Sequence, residues 1–331
     1  MSSCIFLNIC NEENYIGEFV YYHLLIGFDH IYIYDTSNNY SMKNSMLNRN
    51  LKVTIIHKPL NGRDFNRVQC ENMTEFNNEY KLKYKWCAMI DCDEFIVLKK
   101  HSSINEFLNS INLNSGCLGI NWKLFGTNGH KKYEQIPVIN RFTKCGNYLD
   151  QHIKSISIME DVDFYNNPHF PILKSGKQIN EKNKIYPMGA FHTNSTNDLI
   201  QINHYVTKSV EEYDKRNSNH HTRLTNKQFF INHDRNDEND FDAYNILNKI
   251  IKHSDINSFD YTYYIQTNYD LILNCVITKE LAEEHYNYEG IKEKRLCNFN
   301  FDFEDYKNKN KDLQNSTNIE IWNHFKFNNQ K

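Results

Sequence analysis

The sequence predicts an α/β domain, a mostly parallel sheet flanked by helices, followed by a mainly helical extension. Three observations carry that prediction. Apolar runs of strand length alternate with amphipathic stretches at helical spacing through the first hundred residues, the pattern of a parallel sheet covered on both faces. The run Trp86-Cys-Ala-Met-Ile90 is continuously apolar, as a strand buried on both faces requires. The chain has 331 residues, 40% of them hydrophobic, which suffices for one large domain plus an extension. The expected division is a first domain over residues 1–220 and a polar, helical second part over residues 221–331.

Taken in order, Cys4–Cys10 reads as a short buried strand. After Asn11-Glu12-Glu13 a helix follows, with Ile16, Phe19, Val20, His23 and Leu24 at helical spacing. Asn11 or Asn14 is placed to cap its start and Gly27 to close its end. His23 lies on the apolar face and reads as core. Asp29–Asp35 is a second strand running into a turn composition, and Leu51–His57 is a third. Residues 64–84 carry Phe65, Val68, Met73, Phe76 and Tyr80 at helical spacing and lead into the Trp86 strand. Ile104–Ile111 reads as a short helix and Cys117–Trp122 as a strand. Leu124-Phe-Gly-Thr-Asn-Gly-His130 is either a plain turn or a loop whose glycines let backbone approach a ligand.

Past Asn140 the periodic signals weaken. Pro168-His-Phe-Pro171 is rigid and non-helical. Residues 174–188 read as a polar loop excursion, and Leu199–Tyr205 as a strand carrying Asn203-His204-Tyr205. Ser209 caps a charged helix. The acidic run Asp234–Asp240 lacks the glycine and terminal Glu spacing of a calcium loop and reads as a solvated turn. Residues 241–290 look helical in part, the tail after Lys292 is polar, and no internal repeat is seen.

The net charge of −3 provides no electrostatic footprint for nucleic acid or an anionic membrane. Nine Cys occur singly, without zinc spacing, which fits a reducing compartment. No secretory leader and no apolar run of membrane-spanning length is apparent, so a cytoplasmic location is expected. Oligomeric state is not readable.

The chemistry is expected at Asp91, Asp93 and Glu94, where the Trp86 strand ends. In extended backbone Asp91 and Asp93 share one side while Cys92 and Glu94 turn to the other. Two carboxylates at the end of a buried strand suit a hard divalent cation, Mn²⁺ or Mg²⁺, which fills its remaining positions with water and phosphate oxygens. Strand ends of open α/β sheets are also where nucleotides bind. An acidic turn closing a strand is the competing reading.

An ordered series of segments sharpens the choice. It comprises Cys10-Asn-Glu-Glu-Asn-Tyr-Ile-Gly-Glu18, Gly27-Phe-Asp-His-Ile-Tyr-Ile-Tyr-Asp35, Gln69, Ile90-Asp-Cys-Asp-Glu-Phe95, Asn121–His130, Lys154-Ser155, Asn167-Pro-His169 and Asn203-His-Tyr-Val-Thr-Lys-Ser209. Over residues 4–245 the chain resembles the glycosyltransferases of family 92 and the family 2-like group, which have the GT-A fold. The resemblance implies metal-dependent transfer of a sugar from a nucleotide-sugar, in the first place a UDP-sugar, to a hydroxyl of a glycan or protein.

Carried over by position, Asn11, Glu12 and Asp35 line the nucleoside pocket, and Asp91 faces the ribose or the metal. Asp93 is the firmest metal ligand, His169 or His204 completes the metal site, and Lys208 reaches the diphosphate. The loop from Gly126 to His130 borders the sugar or acceptor. If the reaction inverts, a carboxylate must take the acceptor's proton, and Glu160, Asp161 and Asp150 stand in line for it. Cys92 departs from the apolar residue expected between the two aspartates. Two rivals remain: an inactive relative that binds nucleotide or glycan as a scaffold, and an aspartyl phosphotransferase. The second wants its Asp-x-Asp after the first strand, with Thr or Val two positions beyond.

Overall fold

β1 (Ser3–Ile9) is buried along its whole length, which explains why its sequence is apolar on both faces instead of alternating. The structure is a computed structural model that describes residues 2–193, 196–219, 227–249 and 259–328. α1 (Glu13–Leu25) leads from β1 to β2 (His30–Asp35), which pairs parallel to β1. β3 (Val53–His57) adds parallel to β2. α2 (Phe65–Tyr80) starts at Asp64, whose carboxylate accepts from Arg67 N at 2.9 Å, an N-cap that fixes the first turn. It returns the chain to β4 (Trp86–Met89), parallel to β1 on the side away from β2. The expected N-terminal half is therefore met, with one difference at α1. Neither Asn11 nor Asn14 caps it: Glu12 holds the cap position without a side-chain bond, and Asn11 sits in the left-handed region at φ 58°.

The next elements are β5 (Glu94–Leu98), α3 (Ile104–Ser110), β6 (Gly116–Leu124), α4 (Val138–Arg141), β7 (Lys144–Cys145) and β8 (Ile153–Ile158). β8 runs antiparallel between β4 and β6, with Ile156 opposite both Ala88 and Leu118. β9 (Val162–Asn167) and β10 (Phe170–Leu173) form a hairpin whose turn carries Pro168 and His169. β11 (Lys177–Ile179) and β12 (Ile185–Tyr186) extend the sheet beyond β6. The polar loop expected at 174–188 is thus two short edge strands. Polar residues hide them from a hydrophobicity pattern, yet Gln178 is fully buried through its bonds to His192 and Gly189.

β13 (Ile200–His204) pairs parallel to β6 and antiparallel to β5, with His204 opposite Glu94. α5 (Val210–Asn219) opens on the expected cap. Ser209 Oγ accepts from Glu212 N, and the Glu212 carboxylate accepts from Ser209 N, a reciprocal capping box. α6 (Lys227–His233), β14 (Glu238–Asn239) and α7 (Asp242–Leu247) follow.

The acidic run Asp234–Asp240 is not a solvated turn. Asp234 Oδ1 accepts from Thr127 N at 2.6 Å and Asn236 Oδ1 from Asn128 N at 2.8 Å, so the run clasps the Gly126–His130 loop. Glu238 pairs with Lys123 at 2.7 Å, and β14 joins β7. These bonds put the run inside the first of two units, Met1–Leu247 and Asn248–Lys331. The boundary expected at 220/221 falls outside the described residues, and the two units part later, after α7.

Two aromatic clusters pack the faces of the sheet. Phe6, Tyr32, Tyr34 and Phe76 meet under α2, with the Phe6 and Phe76 rings stacked at 4.6 Å. Phe19, Tyr22, His23 and Phe95 meet between α1 and β5. His23 is core, as expected. Its Nδ1–H donates to Phe19 O and its Nε2 accepts from Ile96 N, while burial pushes its pKa down to about 3.

The second unit is helical where described, with α8 (Tyr261–Thr267), α9 (Tyr269–Leu273), α10 (Lys279–His285), α11 (Phe303–Lys309) and α12 (Asn318–Asn328) around Tyr264, Tyr286, Phe301, Trp322 and Phe325. The helical expectation over 241–290 is met by α7 to α10. Residues 250–258 of that stretch lie outside the described ones. Among the described residues no helix is long and apolar enough to cross a membrane.

Candidate active site

Strand order β3-β2-β1-β4 means that successive strands leave β1 in opposite directions, so a crevice opens beyond the C-terminal ends of β1 and β4. Glu12 emerges there from β1 and Asp91 from β4. Between Asp91 and Glu94 the chain turns, with Glu94 N donating to Asp91 O at 3.0 Å. The Glu94 carboxylate folds back to accept from Asp91 N at 3.0 Å. The extended alternation expected from sequence is therefore a tied turn. Asp91 and Asp93 lie close enough for the Asp93 charge to oppose ionisation of Asp91.

Neighbouring strands deliver the partners. Because β8 is antiparallel to β4, its first turn of chain reaches the end where Asp91 emerges. Lys154, 1% exposed, donates to Asp91 Oδ2 at 2.7 Å and lies 3.8 Å from Glu94. Gln69 of α2 donates to Asp91 Oδ1 at 2.8 Å. β13 ends beside β5, placing His204 Nε2 3.7 Å from Asp93 Oδ1. From α5, Arg216 donates through Nη1 to Asp93 Oδ2 at 2.6 Å.

Burial alone pushes the Asp93 carboxyl up, but Arg216 and His204 more than offset that and hold it well below its usual range. Burial likewise opposes ionisation of Asp91, and the Lys154 ammonium overcomes it, leaving a lowered pKa. Glu94 is fully buried, and burial pushes its carboxyl far up against the pull of Lys154. Glu12 is raised by burial, opposed by Lys208 and Arg216 and reinforced by Asp93, which places these four groups around one crevice.

Trp122 of β6 forms the crevice's aromatic side. Its ring lies 4.2 Å from His204, 5.0 Å from His152 and 5.3 Å from His169, centroid to centroid. His169 Nδ1–H donates to Ile153 O at 2.8 Å, and burial together with Lys154 lowers its pKa to about 4. His152 Nδ1 contacts Asp150 Oδ1 at 2.6 Å. Among the described residues the Trp122 indole N–H and His204 Nδ1 are buried without a hydrogen-bond partner, donors or acceptors that a ligand would satisfy.

The structure brings together Glu12, Asp91, Asp93, Asp150, His169, His204 and Lys208, and it excludes others. Asp35 is fully buried and its two oxygens accept from Ser37 N, Ser37 Oγ, Ser41 Oγ and Met42 N, so it shapes its own turn and has no lone pair left for a nucleoside. Asn11 is exposed beside the crevice. Glu160 and Asp161 follow β8 at the opposite end of the sheet, where Ile158 pairs with Trp86, the first residue of β4. Asp161 there accepts from Gly116 N and Ser175 Oγ. Neither is placed to take a proton in the crevice. Sequence reasoning missed Arg216 and His152. His152 stands two residues from Asp150 and a Asp-x-His spacing was there to be read; Arg216 sits in a charged helix with nothing local to mark it.

The carboxylate oxygens from which a divalent ion was expected to hang are engaged by protein groups in this structure. Among the described residues no three His, Cys, Asp or Glu side chains converge to hold a metal ion. Three of the four oxygens of Asp91 and Asp93 accept from Gln69, Lys154 and Arg216, and the fourth faces His204.

Comparison with known proteins gives three results. The model of the family described as glycosyltransferase family 92 matches residues 2–267. No curated protein matches the sequence. Among solved structures, the chain is similar to the crystal structure of HddC from Yersinia pseudotuberculosis, at 11% identity over 56% of this chain and 92% of that one, with a TM-score of 0.32.

Proposed function

The chain belongs to glycosyltransferase family 92, and from that premise we propose that it moves a sugar from a nucleotide-sugar, with UDP as the carrier, to a hydroxyl of a glycan or glycoprotein with inversion at the anomeric carbon. The observation that carries this reading is the cluster beyond β1 and β4, where Glu12, Asp91 and Asp93 gather with Lys208 and Arg216, and where His204 beside Asp93 packs on the Trp122 ring. Such a place suits a nucleoside diphosphate on its charged side and a sugar ring on its aromatic side.

In the reaction the bond between the anomeric carbon and the diphosphate oxygen breaks, and its electron pair leaves with the diphosphate. The acceptor oxygen forms the new bond and gives up its proton. For that proton we assign His152 as base and Asp150 as the group that orients it, supported by their 2.6 Å contact and by the stacking of His152 on Trp122. Holding donor and acceptor on one side of the sheet supplies the proximity term. Asp93 carries no proton in this scheme; it fixes Arg216 in the crevice.

The test is release of nucleoside diphosphate from a panel of UDP-sugars, with and without Mn²⁺. Release by the wild-type protein, lost at least about a hundredfold in Asp93→Asn with its melting curve unchanged, is the expected result; a mispositioned charge of this kind costs on the order of 3 kcal/mol. No release from any donor in either buffer, or an Asp93→Asn protein that keeps its turnover, overturns the reading.

A further inference from the structure

Resting on the transferase reading, we infer that the donor's diphosphate is met in this chain by protein cations, Arg216 with Lys208, in place of a divalent metal ion. The carboxylates that would grip a metal already grip something else. A hard cation needs carboxylate oxygens that are free to turn toward it. Here Asp91 gives Oδ1 to Gln69 and Oδ2 to Lys154, and Asp93 gives Oδ2 to Arg216.

Lys154 cannot step aside. Its side chain is 1% exposed and lies between Asp91 and Glu94, so a metal that took Asp91 from it would leave a buried ammonium beside a new positive ion. Breaking one half of a buried pair is strongly unfavourable. Arg216 differs in the way that matters. Its side chain is 30% exposed, and one of its N–H groups holds Asp93 while the planar fork keeps others for a second anion. Phosphate oxygens fit such a fork through charge-assisted bonds.

Lys208 supplies the second charge. It is 5% exposed, in the left-handed region at φ 48°, and its ammonium lies 4.4 Å over the Tyr15 ring. Its charge acts through space on Glu12, and no direct ion pair to Lys208 is formed among the described residues. A buried ammonium left without a direct counter-ion is costly, and an arriving anion relieves that cost. The order of dependence is then plain: Asp93 holds Arg216, and Arg216 and Lys208 hold the diphosphate as the electron pair of the breaking bond settles on it.

The test is calorimetric titration of the full-length protein with UDP, GDP and CDP, first in EDTA and then with Mn²⁺, alongside Arg216→Ala and Arg216→Lys, each checked for a retained cooperative melting transition. We expect at least one diphosphate to bind in EDTA about as tightly as with Mn²⁺. Arg216→Ala should weaken that binding in EDTA about tenfold or more, the loss of one charge-assisted contact, and Arg216→Lys should weaken it less. In Arg216→Ala, Mn²⁺ should recover part of the loss because Asp93 is released. Binding that needs Mn²⁺ in the wild-type protein, or that is indifferent to Arg216→Ala in EDTA, overturns the inference and leaves the transferase reading standing. Failure of all three diphosphates in both buffers overturns the transferase reading, and the inference with it.

Discussion

Glu18 closes the first of the ordered segments with no role expected of it, yet it is fully buried and accepts from Val138 N at 2.6 Å and Ile139 N at 2.8 Å, the first turn of α4. Burial pushes its carboxyl up to about 7, against the pull of those two N–H groups and of Arg141. A carboxyl with a folded pKa above its unfolded one holds its proton more tightly when folded. Its stabilising contribution is present below the unfolded value and is lost as pH rises toward about 7. Glu18→Gln cannot titrate, so wild-type stability relative to that variant should fall by about 3 kcal/mol between pH 4 and pH 8. Denaturant melts at both ends of the range check it; a pH-independent difference refutes the assignment. Other single residues show where sequence reading stops. Asp35 sits where a nucleoside ligand was expected, and only the path of residues 37–42 reveals that its oxygens are used up at home. Glu160 and Asp161 were reasonable bases until the direction of β8 sent them to the far end of the sheet.

Among elements, α5 is held by a buried bidentate pair. Arg141 of α4 donates to both oxygens of Glu212 at 2.7 and 2.9 Å, the two side chains are 2% and 3% exposed, and Tyr15 of α1 donates to Glu212 at 2.9 Å. Glu212→Ala leaves the guanidinium buried and unpaired, which should cost about 3–5 kcal/mol in urea denaturation. Because Arg216 lies one turn further along the same helix, that variant should also lose diphosphate affinity. Replacing Arg141 and Glu212 together by apolar residues should restore much of the stability without restoring the affinity. Helices and parallel strands were legible because their periodicities are local. The strands after Asn140 were not, since β11 and β12 bury polar residues through specific bonds that hydrophobicity does not encode. The Asp234–Asp240 run misled for a related reason: its charges are satisfied by backbone N–H groups and lysines that are remote in sequence.

At the scale of the molecule, every residue assigned to the crevice falls within Met1–Leu247, and the helical unit from Asn248 onward has its own aromatic core. A chain ending at residue 249 should keep a cooperative melting transition and bind the same diphosphate as the full protein; loss of binding with the fold retained would give the second unit a part in the site. The alternation of strands and helices fixed the expected architecture, whereas the antiparallel insertion of β8 left no mark in the sequence, although it carries Lys154 to its place. That insertion bears on how the protein is made. Asp91 waits 63 residues for Lys154, and Asp93 waits 123 residues for Arg216. At a ribosome's pace of about 5–20 residues per second, the second wait is roughly 6–25 s. On that clock all four parallel strands have emerged while Asp93 is still without its cation, and the crevice's charges are balanced only once α5 has left the ribosome.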